Sequence, residues 1–285
     1  MPLVTTDIML SDARKNRYAI PAFNCENPEM IQAVIAAGEE MNAPVIIQTT
    51  PTTIRYASSE LFAAVVAALA KKSSIPVALH LDHGDTYELA SGALEAGYTS
   101  IMIDGSNLPF PENSAITKKV VDLCRKAGIP VEGELGHVGG KEDDTVSGGS
   151  LYTDPDEAVR FVKETGVSFL AIGVGTAHGV YSARPVLNRE LISILRDLLS
   201  VPLVLHGSSG LEDDVIRDCI SRGISKVNIA TDLRVAYTQA VRGFLKNDPD
   251  CFDPKKYGAA AREAVKEIAK SRITICGCQG RANSL

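Results

Sequence analysis

Residues 202–232, PLVLHGSSGLEDDVIRDCISRGISKVNIATD, contain two short apolar segments that flank a longer amphipathic one. The apolar segments, Pro202–Ser208 and Ser225–Thr231, are rich in branched side chains, as buried parallel strands are. Between them, Asp213–Arg222 has apolar residues at helical spacing and stops at Gly223, where a helix can end. This stretch therefore predicts one strand–helix–strand unit of a parallel sheet.

The same alternation recurs along the whole chain. Helical spacing fills intervals such as Pro28–Met41, Ser58–Lys72 and Asn113–Lys126. Eight alternations without a break in composition predict an α/β fold, a (β/α)8 TIM barrel that forms a single domain over residues 1–285. An open, doubly wound sheet is the alternative, but the first strand is not followed by a GxGxxG turn. The other six predicted strands are Tyr18–Cys25, Pro44–Thr50, Pro76–His83, Ser100–Ser106, Pro130–His137 and Phe169–His178.

Two segments do not follow this alternation. Residues Gly139–Ser150, GGKEDDTVSGGS, are polar and rich in glycine, which predicts a mobile loop after the fifth strand. Residues 247–285 begin with NDPDCFDPKKY, typical of a linker, and continue as a predicted helix from Gly258 to about Ile273.

Composition excludes several classes of protein. The net charge of −6 and the lack of a basic stripe argue against nucleic acid as a partner. The N-terminus lacks the basic and apolar regions of a signal peptide, and the most apolar run, Leu61–Ala70, is too short to span a bilayer. The six cysteines contain no CxxC pair, so we expect reduced thiols and a cytoplasmic protein without membrane partners.

Side chains that can bind a metal end several of the predicted strands. In a barrel these strand ends converge, and three neutral imidazoles with an open fourth position are typical of catalytic zinc. Asp104 and Glu134 end the fourth and fifth strands, where they could orient the imidazoles or hold a displaced metal position. Each histidine alone could be a buried, hydrogen-bonded side chain, but three equivalent positions favour a metal site. These three, each directly before a glycine, are His83, His178 and His206.

Other polar residues at the strand ends have two interpretations each. Asp82 adjoins His83, and both could reach the barrel mouth if the chain turns at Gly84; alternatively, Asp82 caps the next helix. The eighth strand leads directly from Asn228 into a helix, and a Gly-Ser-Ser-Gly segment follows the seventh. Such loops and helix starts form the usual phosphate site of this fold. His80 and His137 are interpreted as structural.

Five motifs in order resemble the class II fructose- and tagatose-bisphosphate aldolases, and the tagatose branch is the most similar. The resemblance extends from the N-terminus to the CGCQGRAN tail. The motifs are HLDHG at 80–84, ELGHVGGKEDD at 134–144, GTAHG at 175–179, LHGSSG at 205–210 and KVNIATD at 226–232.

This resemblance implies reversible cleavage of a ketose 1,6-bisphosphate into dihydroxyacetone phosphate and glyceraldehyde 3-phosphate. It implies Zn²⁺ on the three histidines, acting as a Lewis acid that stabilises the enediolate. Asp82 matches the residue that exchanges a proton with the C4 hydroxyl. Glu142 matches the residue that moves the proton at the ketone carbon, a role that suits a closing loop.

The resemblance also implies a substrate site, a second cation and an oligomer. Backbone carbonyls near Gly179 and Gly207 match a site for Na⁺ or K⁺, and the family forms homodimers or homotetramers. Asn24 and Thr50 match substrate contacts on the other side of the mouth. The positions that match the ketone and phosphate site are Gly179, Gly207, Ser208, Ser209, Asn228, Ile229, Ala230 and Thr231.

One departure from the family affects the distal group of the substrate. Lys255 stands in Asp-Pro-Lys where the family has an arginine, often reaching a neighbouring subunit, and lysine lacks the bidentate fork. Arg55 could compensate. The distal group is therefore expected to be a phosphate, with a sulfonate, as in sulfofructose phosphate, or a smaller aldehyde as alternatives.

Three other classes of protein are alternatives. A Schiff-base aldolase needs a lysine at a strand end, whereas Lys226 is expected at the start of its strand on the wrong face. A zinc barrel hydrolase usually has an HxH pair on the first strand, and none occurs here. A non-catalytic binding module would neither take up metal nor require Asp82 and Glu142.

Overall fold

The computed structural model of the protein describes residues 3–136, 138–142, 145–146, 152–179 and 185–284. Eight of its strands run parallel and close into a barrel, which confirms the predicted TIM barrel and contradicts the open sheet. The barrel strands are β1 (Ile20–Asn24), β2 (Val45–Thr49), β3 (Val77–Gly84), β4 (Ser100–Ile103), β5 (Val131–Leu135), β8 (Phe169–Ile172), β10 (Leu203–Leu205) and β11 (Ile224–Ile229). Their order around the barrel is β1-β11-β10-β8-β5-β4-β3-β2.

Helices surround the barrel and cover its outer face. Every residue of β1, β2 and β11 is buried, because one face of each strand points into the barrel and the other packs on helices. The helices are α1 (Thr6–Asn16), α2 (Pro28–Met41), α3 (Pro51–Ala57), α4 (Ser59–Ala70), α5 (Tyr87–Ala96), α6 (Phe110–Arg125), α7 (Pro155–Thr165), α8 (Arg189–Leu198), α9 (Asp213–Arg222), α10 (Thr231–Asn247) and α11 (Pro254–Cys276), followed by a 3-10 turn at Ala282–Ser284.

Helix boundaries follow local capping chemistry. The Asn27 side chain accepts a hydrogen bond from the Met30 amide at 2.9 Å, with Pro28 in the first turn of α2. Asp253 caps α11 in the same way, so that helix begins at Pro254, four residues before the predicted start. Of the described helices, none alone has both the length and the apolarity to cross a bilayer; only α3 and α4 together do, and they are bent by 90°.

The lower end of the barrel, where the strands begin, is covered by α1. Its Thr6 hydroxyl donates to Ser100 Oγ at 2.8 Å, at the first residue of β4, and the Val4 amide donates to the Val77 carbonyl at 3.0 Å, at the first residue of β3. Met9 and Leu10 are fully buried beneath the strands. The upper end, where the strands finish, is left for the loops that carry the site.

The sixth predicted strand is two separate strands. Phe169–His178 was expected to be one strand, but β8 stops at Ile172 and a short strand, β9 (Ala177–His178), follows. This β9 pairs with β6 (Gly139–Glu142), which in turn pairs antiparallel with β7 (Thr145–Val146). The predicted polar loop thus contributes two strands, β6 and β7, to a small three-stranded sheet above the barrel. His137, 143–144 and 147–150 lie outside the described residues.

Candidate metal centre and active site

Three histidines converge at the upper end of the barrel. His83 lies near the end of β3, His178 ends β9, and His206 follows β10. One ring nitrogen from each lies within 4.8 Å of the others, and His83 Nε2 is 2.9 Å from His206 Nδ1. The rings are arranged in T-shaped pairs, with interplanar angles of 73–82°. Such a cluster offers three nitrogen ligands to one divalent cation.

A backbone irregularity brings Asp82 and His83 to the same site. The pairing of β3 with β4 shifts register between Leu81 and Gly84, and His83 has a left-handed φ of 50°. A bulge of this kind re-aims a side chain that regular alternation would send to the opposite face. The turn was expected at Gly84 but occurs one residue earlier.

His178 reaches the cluster by a different route from the other two histidines. It belongs to the small sheet above the barrel, and its backbone pairs with Gly140 of β6. The polar segment of β6 that carries Glu142 therefore supports a candidate metal ligand directly. Only the backbone of Glu142 is described; its side chain lies outside the described part of the structure.

Two carboxylates adjoin the histidines. Asp104 Oδ2 accepts from His83 Nδ1 at 2.7 Å, which leaves Nε2 as the nitrogen facing the centre. Burial raises the pKa of Asp104, but the hydrogen bond and charge of His83 outweigh it and hold that pKa below its usual range. Glu134 Oε2 lies 3.9 Å from His83 Nδ1 and 3.6 Å from His206 Nδ1. His83, Asp104 and Glu134 form a second group whose ligand atoms lie within 4.8 Å, as expected for a displaced metal position.

A buried ion pair that the sequence analysis missed supports His206. Glu132 Oε1 accepts from His206 Nε2 at 2.8 Å, and Lys226 Nζ donates to Glu132 Oε2 at 2.8 Å. Burial raises the pKa of Glu132, but the charge of Lys226 and the hydrogen bonds from His206 and His80 to Glu132 hold that pKa well below its usual range. Burial lowers the pKa of His206, which favours the neutral ring that a metal requires. Alternation along β5 could have indicated that Glu132 and Glu134 share a face.

Lys226 was expected on the wrong face of its strand, and that expectation was wrong. It is fully buried inside the barrel, as the third residue of β11, where Nζ also donates to Asn228 Oδ1 at 2.8 Å. The long stem lets the ammonium reach upward from the lower half of the barrel. His80 lies in the same layer, with Nε2 3.3 Å from Glu132 Oε2 and Nδ1 2.7 Å from Ser100 Oγ.

Asp82 is fully buried and held by three side-chain amides. Asn24 donates to Oδ2 at 2.8 Å, Gln48 to the same oxygen at 3.2 Å, and Asn228 to Oδ1 at 3.0 Å. The alternative that Asp82 caps a helix fails, because Thr86 caps α5 instead. Asn24 and Asn228, predicted as substrate contacts, therefore contact the predicted base. Gln48, one residue before the end of β2, was missed.

A hollow beside His178 carries most of the predicted phosphate residues. It lies where β11 passes into α10, and Ala230 and Thr231 at the start of that helix line it. Arg234, one turn into α10, also lines it and was missed; spacing of three from Thr231 could have indicated it. The lining residues are His178, Gly179, Gly207, Ser208, Ser209, Asn228, Ala230, Thr231 and Arg234.

The remaining predicted contacts lie elsewhere. Ile229 is buried in the barrel wall and does not line this hollow. Thr50 is buried as the cap of α3, where its hydroxyl accepts from the Thr53 amide. Lys255 is 87% exposed near the start of α11, and its ammonium lies 2.9 Å from Asp253 Oδ1.

A closed parallel barrel with clustered histidines and a hollow at its carboxyl end is typical of enzymes of the TIM-barrel class. Residues 4–281 match the family model described as fructose-bisphosphate aldolase class-II. The chain belongs to this family. It is thus an aldolase, an enzyme that acts on carbon–carbon bonds of phosphorylated sugars.

Solved structures agree with this assignment. The chain is 40% identical to the YdjI aldolase of Escherichia coli K12, over 98% of this chain and 99% of that one, with a TM-score of 0.88. It is 30% identical to a protein of Coccidioides immitis assigned as a fructose-1,6-bisphosphate aldolase, over 98% of both chains, with a TM-score of 0.89. The fructose-bisphosphate aldolase of Campylobacter jejuni, at 24% identity and a TM-score of 0.83, shares the fold.

Proposed function

We propose that this protein is a Zn²⁺-dependent aldolase that reversibly cleaves tagatose or fructose 1,6-bisphosphate into dihydroxyacetone phosphate and glyceraldehyde 3-phosphate. The observation that carries the proposal is the meeting of His83, His178 and His206 within 4.8 Å of one another, beside Asp82 and the hollow at the start of α10. When bound there, Zn²⁺ supplies a Lewis acid for the ketone oxygen.

The donor set fits zinc. Three imidazoles on separate segments leave a fourth position for substrate, as catalytic zinc sites do. Asp104 fixes the tautomer of His83 and Glu132 that of His206, so that each directs the lone pair of its other ring nitrogen toward the centre. Glu134 and Asp104 offer oxygen ligands for a second position of the same ion.

Asp82 is proposed to take the C4 hydroxyl proton in cleavage and to return it to the aldehyde oxygen in condensation. The amides of Asn24, Gln48 and Asn228 all donate to its oxygens, which favours the ionised carboxylate that a base requires. Its Oδ1 lies 4.0 Å from His83 Nε2, so a substrate held at the histidines would be adjacent. Glu142 is proposed to move the proton at the ketone carbon, from the strand that pairs with His178.

The hollow is proposed to hold the phosphate of the three-carbon ketone. Backbone amides at the start of α10, the hydroxyls of Ser209 and Thr231, and the guanidinium of Arg234, which also pairs with Glu26 at 2.6 Å, supply donors there. Backbone carbonyls near Gly179 and Gly207 would hold the Na⁺ or K⁺ ion. Asn24, Thr50 and Ile229 complete the proposed substrate residues.

The distal group of the substrate is proposed to be a phosphate that Lys255 binds across a homodimer or homotetramer. The exposure of Lys255 in this protomer supports a role at a neighbouring subunit, because a substrate phosphate can replace the solvent-exposed contact of its ammonium with Asp253. A ketose phosphate with a sulfonate at that end, such as sulfofructose phosphate, is the alternative substrate.

A metal-reconstitution assay tests the proposal. The protein is stripped with a chelator and assayed for cleavage of tagatose 1,6-bisphosphate, fructose 1,6-bisphosphate and sulfofructose phosphate, before and after Zn²⁺ is returned. We expect activity to require the metal and to be lost in Asp82→Asn with zinc still bound. Activity that survives chelation, with an adduct trapped by borohydride, would contradict it.

A Lys255→Arg variant in the same assay tests the distal contact. If Lys255 binds the distal group, the arginine changes the KM for the bisphosphates. An unchanged preference and unchanged KM would show that other residues determine the distal group.

A further inference from the structure

A second, basic hollow lies at the lower end of the barrel, opposite the histidines. It has a volume of about 410 Å³ and lies where α1, α8 and α9 end and β11 begins. Four of its lining side chains are cationic, Arg14, Lys15, Arg17 and Arg196, and one, Asp197, is anionic. Three positive charges in excess on a protein of net charge −6 form a local field that attracts anions.

Most of that charge lacks an acidic partner. Asp197 pairs with Arg196, with Nε to Oδ1 at 2.8 Å. In the described part of the chain, no acidic side chain pairs with Arg14, Lys15 or Arg17. The positive charges of Arg14, Lys15 and Arg17 repel one another, so an anion that binds among these side chains is attracted by all three.

Two buried polar atoms at the hollow have no hydrogen-bond partner among the described residues. The first is Ser225 Oγ, on a residue that is only 1% exposed. Because Lys226 points into the barrel, strand alternation directs Ser225 outward, toward the hollow that it lines. The second is Nη1 of Arg14. The other terminal nitrogen of the same guanidinium, Nη2, donates to the Leu199 carbonyl at 2.5 Å and so fixes the group in place. Unsatisfied buried polar atoms are costly, and a ligand can satisfy them.

The backbone of the hollow is shaped to receive Arg196. Gly223 has a φ of 136°, and a Cβ there would lie 2.8 Å from both Cβ and Cγ of Arg196. The stem of Arg196 therefore rests directly on the glycine. Its guanidinium is held by the Arg222 carbonyl at 3.0 Å in addition to Asp197.

We propose that this hollow is a second anion site, which binds the phosphate group of a small phosphorylated molecule. The guanidinium groups of Arg14 and Arg17, the Lys15 ammonium and the Ser225 hydroxyl match the several acceptor oxygens and double charge of a phosphate better than a single carboxylate. The volume exceeds that of inorganic phosphate and accommodates a small organic group as well. The occupant would contact β11, the strand whose far end carries Asn228.

Equilibrium dialysis with inorganic phosphate and with glycerol 3-phosphate, at an ionic strength of about 0.15 M, counts the sites per chain. Under the proposed function, the hollow near His178 and the distal contact at Lys255 can each hold a phosphate at the upper end, so we expect one further site in the lower hollow, in addition to those. Tighter binding of glycerol 3-phosphate than of phosphate at the lower site identifies an organic occupant, and equal binding identifies phosphate itself.

Two variants, with a charge control, test whether the second site lies in the lower hollow. Lys15→Gln/Arg17→Asn removes two exposed charges, and asparagine suits the left-handed φ of 56° at position 17. Ser225→Ala removes one donor to a charged ligand, worth about tenfold in affinity, and breaks no internal hydrogen bond. Both should lose or weaken one site and leave the other unchanged. Lys71→Gln/Lys72→Gln, two exposed lysines at the end of α4 that do not line the hollow, is the charge control and should bind as the wild type does.

Each outcome decides the proposal. If neither place at the upper end binds phosphate, the wild type has one site and the lower variants lose or weaken it, so failure of the proposed function is distinguishable. Unchanged sites in both lower variants would overturn the second site, as would an equal loss of affinity in the lysine control.

Discussion

Replacing Lys226 by methionine isolates the buried ion pair beneath the metal centre. Methionine keeps the length of the stem but removes the ammonium that donates to Glu132 and Asn228, each at 2.8 Å. Both ions of the pair are fully buried, so no solvent can replace the lost partner of Glu132. Removing one member of such a pair costs about 3–5 kcal/mol in the free energy of unfolding.

Urea unfolding of the metal-free protein measures that loss. The matched control is Lys118→Met, whose ammonium lies 3.1 Å from Asp122 with both side chains about half exposed; it should lose less than about 1 kcal/mol. A second substitution, Glu132→Gln, removes the carboxylate charge left without a partner, and the glutamine oxygen can still accept a hydrogen bond from His206. The double variant should therefore be more stable than Lys226→Met by about 1.5 kcal/mol or more.

The pH dependence has a definite sign. The pKa of Glu132 is depressed in the folded wild type, so this group adds stability above its unfolded pKa of about 4.3 and loses it as the pH falls through the folded value. Without Lys226 the pKa of Glu132 in the folded state rises. The difference in the free energy of unfolding between wild type and Lys226→Met should therefore be largest at neutral pH and become smaller in acid. The reasoning is refuted if Lys226→Met is as stable as Lys118→Met, or if adding Glu132→Gln lowers stability further.

Three further substitutions or measurements test the site and the cysteines. Asp82→Asn should lower kcat by about 10²-fold or more while zinc content, measured by atomic emission, stays at one per chain; zinc loss would instead make Asp82 structural. His83→Ala should lose both zinc and activity, because His83 belongs to both candidate ligand groups, and retained zinc would exclude it as a ligand. A thiol reagent at pH 8 should label one cysteine rapidly, the partly exposed Cys251, and all six after unfolding. The other five cysteines are buried, and burial raises the pKa of Cys219 and Cys276 to about 12, so rapid labelling of several thiols would contradict the reasoning.

Strand order and helix positions were predictable because they depend on local patterns. Short branched apolar segments alternating with helical spacing specify parallel strands and covering helices, and eight of them close into a barrel. The capping residues Asn27 and Asp154 also act locally, within three residues of the amides they bind. Where the prediction failed, at His178, the strand ended early because its final residues pair with β6, a contact that no local pattern encodes.

The candidate site was predictable in its membership but not in its connections. Each of the three histidines stands before a glycine near a predicted strand end, and the convergence of His83 and His206 follows from the geometry of a parallel barrel. His178 reaches them only through the pairing of β9 with β6. The three side-chain hydrogen bonds to Asp82 come from residues 24, 48 and 228, which are 58, 34 and 146 positions away in sequence. Sequence spacing carries no information on such contacts.

The amino-acid sequence by itself determined which residues form strands and which polar side chains stand at their ends, because burial periodicity and capping are properties of neighbours along the chain. Only the closed barrel decided that Lys226 lies inside it and pairs with Glu132, and that Ser225 faces the basic hollow. The physical reason is that curvature, tilt and bulges set which face of a strand meets which neighbour, and these arise only when all eight strands pack together.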